Sequence, residues 1–563
     1  MSAPKRPLRS NYEKGTSLWA VRRAQWRALG LTDADMEKPK IAVVNTSSEL
    51  AICFSHLDGV AKIVKDAIRE AGGLPFEIRT TAPSDFIHSA GHAGNYILPM
   101  RDLITNDIEV AVEGAQLDGM ICLTSCDKTV PGHLMAAARL NIPTILVIGG
   151  YQGSGTYHNH HVDIEEVFLG AGHHVAGKLS FEDLLGMSEH AITSPGVCSG
   201  MGTANSMHIV CEALGMSLPG GAPVLANSPR MVEFAKKSGK RIVEMVEENL
   251  LPRAIMTPDA FANAAMAIQA VAGSINCIKH LQATAIEAGM DLDFYKLFDE
   301  LTYKVPVISA VRPIGDSSIE GFEAAGGALG VMKQLEPIIR KNALTVSGKT
   351  VGENLKDVVV TDQETIRPLS HPLSDKAGIV LVRGNLASSC AVVKLGLRRD
   401  KIMKFTGKAR CFTSAQDAMD ALKAGKIVKG DVVVLRGLGV RGGPGMGMAS
   451  RVVFALDGAG LGADVAFVTD GQLSGLVNKG LVVGEVTPEA ATGGLLALVA
   501  DGDTIAIDAE DARTIDLDVP EAELATRRSK LQLRDKHSEE GWLAIYERSV
   551  RPLSQGAALV HPK

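Results

Sequence analysis

Between residues 40 and 149, short apolar runs alternate with amphipathic stretches, and this alternation constrains the fold more than any other feature. KIAVVNT is a continuous apolar run of strand length. HLDGVAKIVKDAIREAGG then places apolar residues at helical spacing and stops at Gly72 and Gly73. The pattern continues with the strand FEIRTTAPSD, a helix around RDLITNDIEVAVEGA, the strand GMICLTS, a helix near HLMAAARL and the strand PTILVIGG. Strands of this kind, separated by helices, predict a mainly parallel sheet covered on both faces. Residues 202–345 read as mostly helical, interrupted by an apolar strand, VPVISAV.

The character changes near residue 350. After TDQETIRPLSHPLSDKAG come the short strands GIVLVRG, DVVVLRG, DVAFVTDG, DTIAIDAED and TIDLDV, separated by glycine-rich turns. That spacing predicts a barrel-like or sandwich β-domain. The expected fold class is α/β: an N-terminal mainly parallel α/β domain over residues 1–365 and a C-terminal β-barrel-like domain over residues 366–563. The boundary falls within residues 355–378.

A chain of 563 residues is long enough for such a division. Its net charge of −6 offers no electrostatic footprint for nucleic acid. Apolar runs such as TILVIGG stop short of the roughly 20 residues of a membrane span. The N-terminal MSAPKRPLRSNYEKG lacks the apolar stretch of a signal peptide. The expectation is a cytoplasmic enzyme with a small-molecule substrate and with neither nucleic acid nor membrane as partner. Eight cysteines in such a chain are not expected to form a disulfide framework.

Three cysteines fall at predicted strand ends or in the loops beyond them: Cys53, Cys126 in CLTSCDKTVPG, and Cys198 in SPGVCSGMGTAN. In open α/β sheets the carboxyl ends of strands form the ligand crevice, so distant residues converge there. Thiolates hold iron–sulfur clusters, and three of them leave one iron position open for chemistry. Spacing alone leaves two readings, since scattered cysteines also serve as small buried hydrophobes.

CDKTVPG closely resembles the C-D-K-x-x-P-G signature of the dihydroxy-acid and sugar-acid dehydratase (IlvD/Edd) family. NTSSELAICFSHLD resembles that family's first cysteine loop and PGVCSGMGTANSM its third. LPGGAP, TPDAFANA, AGSIN, GNLA, GGPGM, TDGQLSG and GEVTPEA resemble later landmarks in the same order, from about residue 35 to residue 505. The resemblance implies a [2Fe–2S] cluster on Cys53, Cys126 and Cys198. It implies Mg2+ at Asp85 and Asp127, with Lys128 carboxylated as a further ligand. It implies Ser474 as the catalytic base, and a homodimer or homotetramer. The implied reaction is loss of water from a 2,3-dihydroxy carboxylic acid, an aldonic, sugar or branched acid, to give a 2-oxo-3-deoxy acid. The metal would neutralise the charge that builds up on the carboxylate, and Ser474 would take the C2 proton.

The C-terminal half departs from the family pattern. Leu438 and Met448 replace the glutamates of Y-E-G-P and G-G-P-G-M-P-E-M, and the second of these is normally a magnesium ligand. A thioether supplies neither the charge nor the hard oxygen of a carboxylate. Ser388 and Cys390 alter G-N-L-A-P-x-G, Ile275 alters G-S-T-N, and Glu485 stands where histidine is expected in G-H-V-S-P-E-A. Two expectations follow: Glu485 or water replaces the missing ligand, or the chain has a reshaped pocket and a weaker metal site. The polar Ser388 and Ser389 lean slightly toward a hydroxylated sugar acid. Two other readings stay open, namely altered elimination chemistry on the same scaffold and a redox-sensing iron–sulfur protein without dehydratase activity.

Other signals are weaker. GLGVRG (437–442) follows a strand as a dinucleotide fingerprint would, but Pro444 spoils the helix start and no βαβ repeat surrounds it. SGKT lacks the first glycine of a phosphate loop, with Ala343 in its place. His158, His160 and His161 read as a solvated loop, and His56 and His88 have better claims to lie near the site.

Overall fold

The computed structural model describes residues 7–88, 91–395, 397, 402–477, 480–533 and 539–560. Residues 1–6 of the basic N-terminal segment lie outside the described residues. The alternating N-terminal segment forms β1 (Lys40–Asn45), α1 (Leu57–Glu70), β2 (Leu74–Arg79), a short α2 (Asp85–His88), α3 (Ile97–Gly114), β3 (Gly119–Thr124), α4 (Thr129–Leu140) and β4 (Thr144–Ile148). The four strands lie in the order β2-β1-β3-β4, all parallel, with Ile41 opposite Gly119 and Met120 opposite Thr144. β1, β3 and β4 are buried along their whole length, whereas β2 is only partly covered at the edge. This is the burial that a parallel sheet with covered faces requires.

A hairpin, β5 (Gly155–Tyr157) and β6 (His160–Val162), leads into α5 (Ile164–Val175) and α6 (Thr203–Ala213). The histidine-rich segment expected as a loop is thus the turn and second strand of a hairpin, with His158 and Asn159 both at positive φ. Two adjacent left-handed residues match a two-residue turn to the strand twist. His161 binds Asp163, the N-cap of α5, at 3.0 Å, which assigns it to capping.

The helical segment contains α7 (Pro229–Glu248), α8 (Pro258–Ala270) and α9 (Asn276–Glu287). α7 lies against α1 at Gly239, where an added Cβ would stand 2.9 Å from the Val64 carbonyl oxygen. Only glycine permits that approach. VPVISAV, expected as a strand, makes only isolated bridges at Val307 and Val311. Its N–H groups at Ile308 and Ser309 bond the Ala270 carbonyl at the end of α8, so the run is a buried connection.

From residue 379 the chain forms an eight-stranded sheet. Its strands are β7 (Ile379–Val382), β8 (Cys390–Lys394), β9 (Lys404–Phe412), β10 (Asp431–Leu435), β11 (Ala466–Thr469), β12 (Leu481–Thr487), β13 (Thr504–Asp508) and β14 (Thr514–Asp518). α10 (Ser450–Gly458) interrupts them. The order is β14-β13-β9-β10-β11-β12-β8-β7. Beyond the two ends, Arg383 N donates to Arg513 O and Ile515 N to Arg383 O, both at 3.0 Å, which brings the edges together into a nearly closed barrel. Val382, Val434, Val468, Val483, Ile505 and Ile515 belong to its own buried core. No helix among the described residues is long and apolar enough to cross a membrane.

Candidate active site

The carboxyl ends of β1 and β3 carry the first two cysteines. Cys53 lies in the turns before α1, and Cys126 lies between β3 and α4. Ser125 ties these loops together: its Oγ donates to the Cys53 carbonyl at 2.5 Å, and its N–H donates to Thr129 Oγ at 3.0 Å. Cys198 lies in the loop before α6, and Asn205 on that helix donates through Nδ2 to the carbonyls of Cys198 (2.8 Å) and Gly200 (2.9 Å). Sequence-distant cysteines thus reach one region because each sits on a loop braced by the element that follows it.

The thiols sense one another. Hydrogen bonding to Cys53, then burial and the negative charge at Cys53, Asp127 and Asp85, push Cys126 well above the ordinary thiol range. Burial, followed by the charge of Cys53 and of the two aspartates, pushes Cys198 up as well. Cys126 and Cys198, both pushed up beside Cys53 and the two aspartates, line a site that favours positive charge.

Asp85 opens α2 and Asp127 follows Cys126. Burial, then repulsion from Asp127, raises Asp85 well above the usual carboxylate range. Between them lies the fully buried Lys128, its Nζ 2.8 Å from Asp127 Oδ2 and 3.7 Å from Asp85 Oδ2. Burial pulls this ammonium down, but the two carboxylates outweigh it and the net shift is upward. The remaining oxygens, Asp85 Oδ1 and Asp127 Oδ1, are buried without a hydrogen-bond partner. Unpaired buried carboxylate oxygens beside soft thiols fit a hard cation next to an iron–sulfur group. Among the described residues, no three His, Cys, Asp or Glu side chains are gathered so as to hold a single ion.

The barrel supplies the other wall. Ser474 lies in the loop after β11; its N–H donates to Ser450 Oγ at 2.7 Å, and Ser450 Oγ in turn donates to Met448 Sδ at 3.4 Å. One cleft is lined by Asp85, Asp127, Cys126, Cys198, Met448 and Ser474, with Phe86, Phe168, Phe454 and Leu476 forming apolar walls. It encloses about 670 Å³, open solvent at its mouth included.

The cleft thus contains Asp85, Cys126, Asp127, Cys198 and Ser474, with Cys53 and Lys128 joined through their contacts to Cys126 and Asp127. Glu485, expected as a replacement ligand, is instead fully buried against Lys279, its Oε1 2.5 Å from Nζ, and it does not line the cleft. Ser388 and Ser389 are exposed and also lie outside it, which removes the argument for a hydroxylated substrate. His56 donates to the Gly149 carbonyl at 2.6 Å, and His88 binds back to Ser84, so both brace loops. Leu438 packs on Gly447 and Gly471 away from the cleft lining. The sequence reading missed Phe86, Phe168, Phe454 and Ser450. Only Phe86, adjacent to Asp85, carried a signal that could have found it.

A parallel α/β unit and a nearly closed barrel that share one cleft of thiols, acids and a serine define a two-part enzyme acting on a small molecule. Family models described as dihydroxy-acid/6-phosphogluconate dehydratase, N-terminal and C-terminal, match residues 38–354 and 364–557. Proteins named dihydroxy-acid dehydratase are 42% identical from Caldicellulosiruptor saccharolyticus (98% of this chain, 100% of that one) and 42% identical from Ignicoccus hospitalis (96% and 98%). The one from Methanococcoides burtonii is 41% identical over 98% of this chain and all of its own. The chain belongs to the dihydroxy-acid/6-phosphogluconate dehydratase family, and it is a dehydratase, a hydro-lyase.

Proposed function

We propose that this dehydratase acts on a 2,3-dihydroxy carboxylic acid with a short branched apolar tail and releases the 2-oxo-3-deoxy acid. The observation that carries the substrate class is the aromatic and aliphatic wall formed by Phe86, Phe168, Phe454 and Leu476 in the cleft that the acidic residues also line. A polyhydroxylated tail would leave its hydroxyls unpaired against those side chains. The names of the curated relatives support the same reading.

Cys53, Cys126 and Cys198 would hold a [2Fe–2S] cluster, and Asp85, Asp127 and a carboxylated Lys128 would hold Mg2+. When bound, these groups supply Lewis acidity toward the departing hydroxide and the substrate carboxylate. Ser474, in its deprotonated form, takes the C2 proton, the C3 hydroxyl leaves as hydroxide, and the resulting enol tautomerises to the 2-oxo acid; Ser450 fixes the position of Ser474 from the backbone. Gly202 gives α6 no side-chain cap, and Thr203 and Ala204 at the start of that helix line the cleft. The aromatic walls exclude water from the anion formed by proton removal. This reading takes residues 1–365 and 366–563 as two domains, supported by the two matched regions on either side of 355–363.

The test is keto-acid formation by anaerobically purified protein supplied with Mg2+. 2,3-Dihydroxy-3-methylbutanoate should be turned over with a higher kcat/KM than any pentonate or hexonate; the reverse order sinks the substrate assignment. Ser474→Ala should lower kcat by about 10² to 10⁴, and full activity would remove it as the base.

A further inference from the structure

Lys279 and Glu485 form an ion pair that is completely buried, far apart in sequence and outside the cleft lining. Lys279 Nζ also donates to Oδ1 of Asn276, the first residue of α9. An ammonium can only donate. Asn276 must therefore turn its oxygen toward Lys279 and its amide nitrogen the other way. Nδ2 donates there to the carbonyl of Leu473 and to Thr203 Oγ, each at 2.9 Å. Leu473 immediately precedes Ser474, and Thr203 is the first residue of α6 and lines the cleft.

Two further contacts converge on the same segment. Gly475 lies so close to α6 that an added Cβ would stand 2.7 Å from Thr203 N and 2.8 Å from Ser274 Oγ. Gly484, beside Glu485, would meet Leu473 Cδ1 at 2.4 Å. Glu485 itself sits at φ 58°, where the pairing of β12 with β8 shifts register. A bulge re-aims a side chain, and here it coincides with a glutamate turned into the protein interior toward Lys279.

We propose that Glu485, Lys279 and Asn276 are positioning residues: the ion pair fixes the orientation of the Asn276 amide, and that amide clamps the Ser474 segment to the start of α6. The consequence for rate rests on Ser474 being the base; the clamp itself does not. Glu485 thereby has a role other than that of a metal ligand, and the bulge in β12 serves catalysis from outside the cleft.

Two variants test the clamp in the full-length enzyme. Asn276→Leu removes the clamp and leaves the ion pair in place. Lys279→Met combined with Glu485→Met replaces the pair by apolar chains of similar length and leaves no buried charge unpaired. Amide hydrogen exchange should rise in residues 470–477 in both variants, with residues 40–45 of the central sheet unchanged. kcat should fall about a hundredfold, the scale of a small misplacement of a reacting group, while KM stays within about threefold. If the double variant does not fold, Asn276→Leu carries both measurements alone. Unchanged exchange in 470–477 overturns the clamp. Faster exchange with an inactive Ser474→Ala but an unaltered kcat overturns its role in positioning. Faster exchange with a fully active Ser474→Ala supports the clamp and instead overturns the assignment of the base.

Discussion

Met448 lines the same cleft as Asp85 and Asp127 and accepts a hydrogen bond on its sulfur from Ser450. A thioether is soft and neutral, so in the proposed Mg2+ site the donors left are Asp85, Asp127 and Lys128. Met448→Glu restores a carboxylate and should tighten Mg2+ binding about tenfold or more, on the reasoning that each added carboxylate raises cation affinity. Titration calorimetry with Mg2+ checks this, and equal affinity in the two proteins would show that Met448 lies too far from the cation. At this scale the sequence marked most of the residues that the fold gathers at the cleft. Cys53, Cys198 and Ser474 each lie in a motif of their own and Cys126 and Asp127 share CDKTVPG, so local sequence marks them. Lys279 was not legible. A lysine inside a helix reads as a solvated face until its partner, 206 positions away, is brought beside it by the fold. Glu485 was misread for the same reason: its counter-charge is invisible along the chain.

At the scale of elements, α4 shows what the Cys126 loop is anchored to. It is buried along nearly its whole length and carries His133, with neither ring nitrogen hydrogen-bonded. Burial pushes this imidazole down to about 3. The unfolded chain takes up the proton near pH 6.5 and the folded one does not, so stability falls as pH drops from about 6.5 toward 3. His133→Leu should remove about 2–3 kcal/mol of that loss at pH 4.5, from two pH units at about 1.4 kcal/mol each. Urea unfolding at pH 7 and pH 4.5 measures it, and parallel slopes for the two proteins would rule it out. The barrel seam makes a second demand. Gly384 passes so close to β14 that a Cβ would lie 2.1 Å from the Ile515 carbonyl oxygen. Gly384→Ala should therefore cost about 1–3 kcal/mol in overpacking, read as a lowered Tm, whereas an unchanged Tm would mean the seam can widen. The parallel sheet was readable because β1, β3 and β4 are nearly continuous apolar runs. β9 and β12 were not: Lys404, Lys408 and Arg410 break the pattern of the first, and Gly484 and Glu485 that of the second. VPVISAV misled in the opposite sense, since β-branched apolar residues suit any buried extended segment.

Across the whole molecule, the cleft exists because the two parts of the chain meet closely at its wall. α5 crosses α10 at Gly172 and Gly458, where a Cβ on either would fall within 3 Å of the other helix's backbone. That approach brings Phe168 against Phe454 at 5.0 Å between ring centres, edge to face, and Phe86 against Phe168 at 5.6 Å. The row runs from the N-terminal region, beside Asp85, to the barrel side, and every ring in it lines the cleft. The surface that joins the two parts is therefore also a wall of the cleft, the one that the proposed substrate's tail would meet. Phe168 is the middle ring, so removing it opens the wall without touching a thiol, a carboxylate or Ser474. Losing one aromatic contact of about 1–1.5 kcal/mol corresponds to roughly a tenfold change in binding. Phe168→Ala should raise KM for 2,3-dihydroxy-3-methylbutanoate about tenfold, leave kcat within about threefold, and leave KM for a pentonate nearly unchanged. Steady-state kinetics on the two substrates decide it: an equal rise in both KM values would mean that the ring only holds the two parts together, while a rise confined to the branched acid places the tail against it.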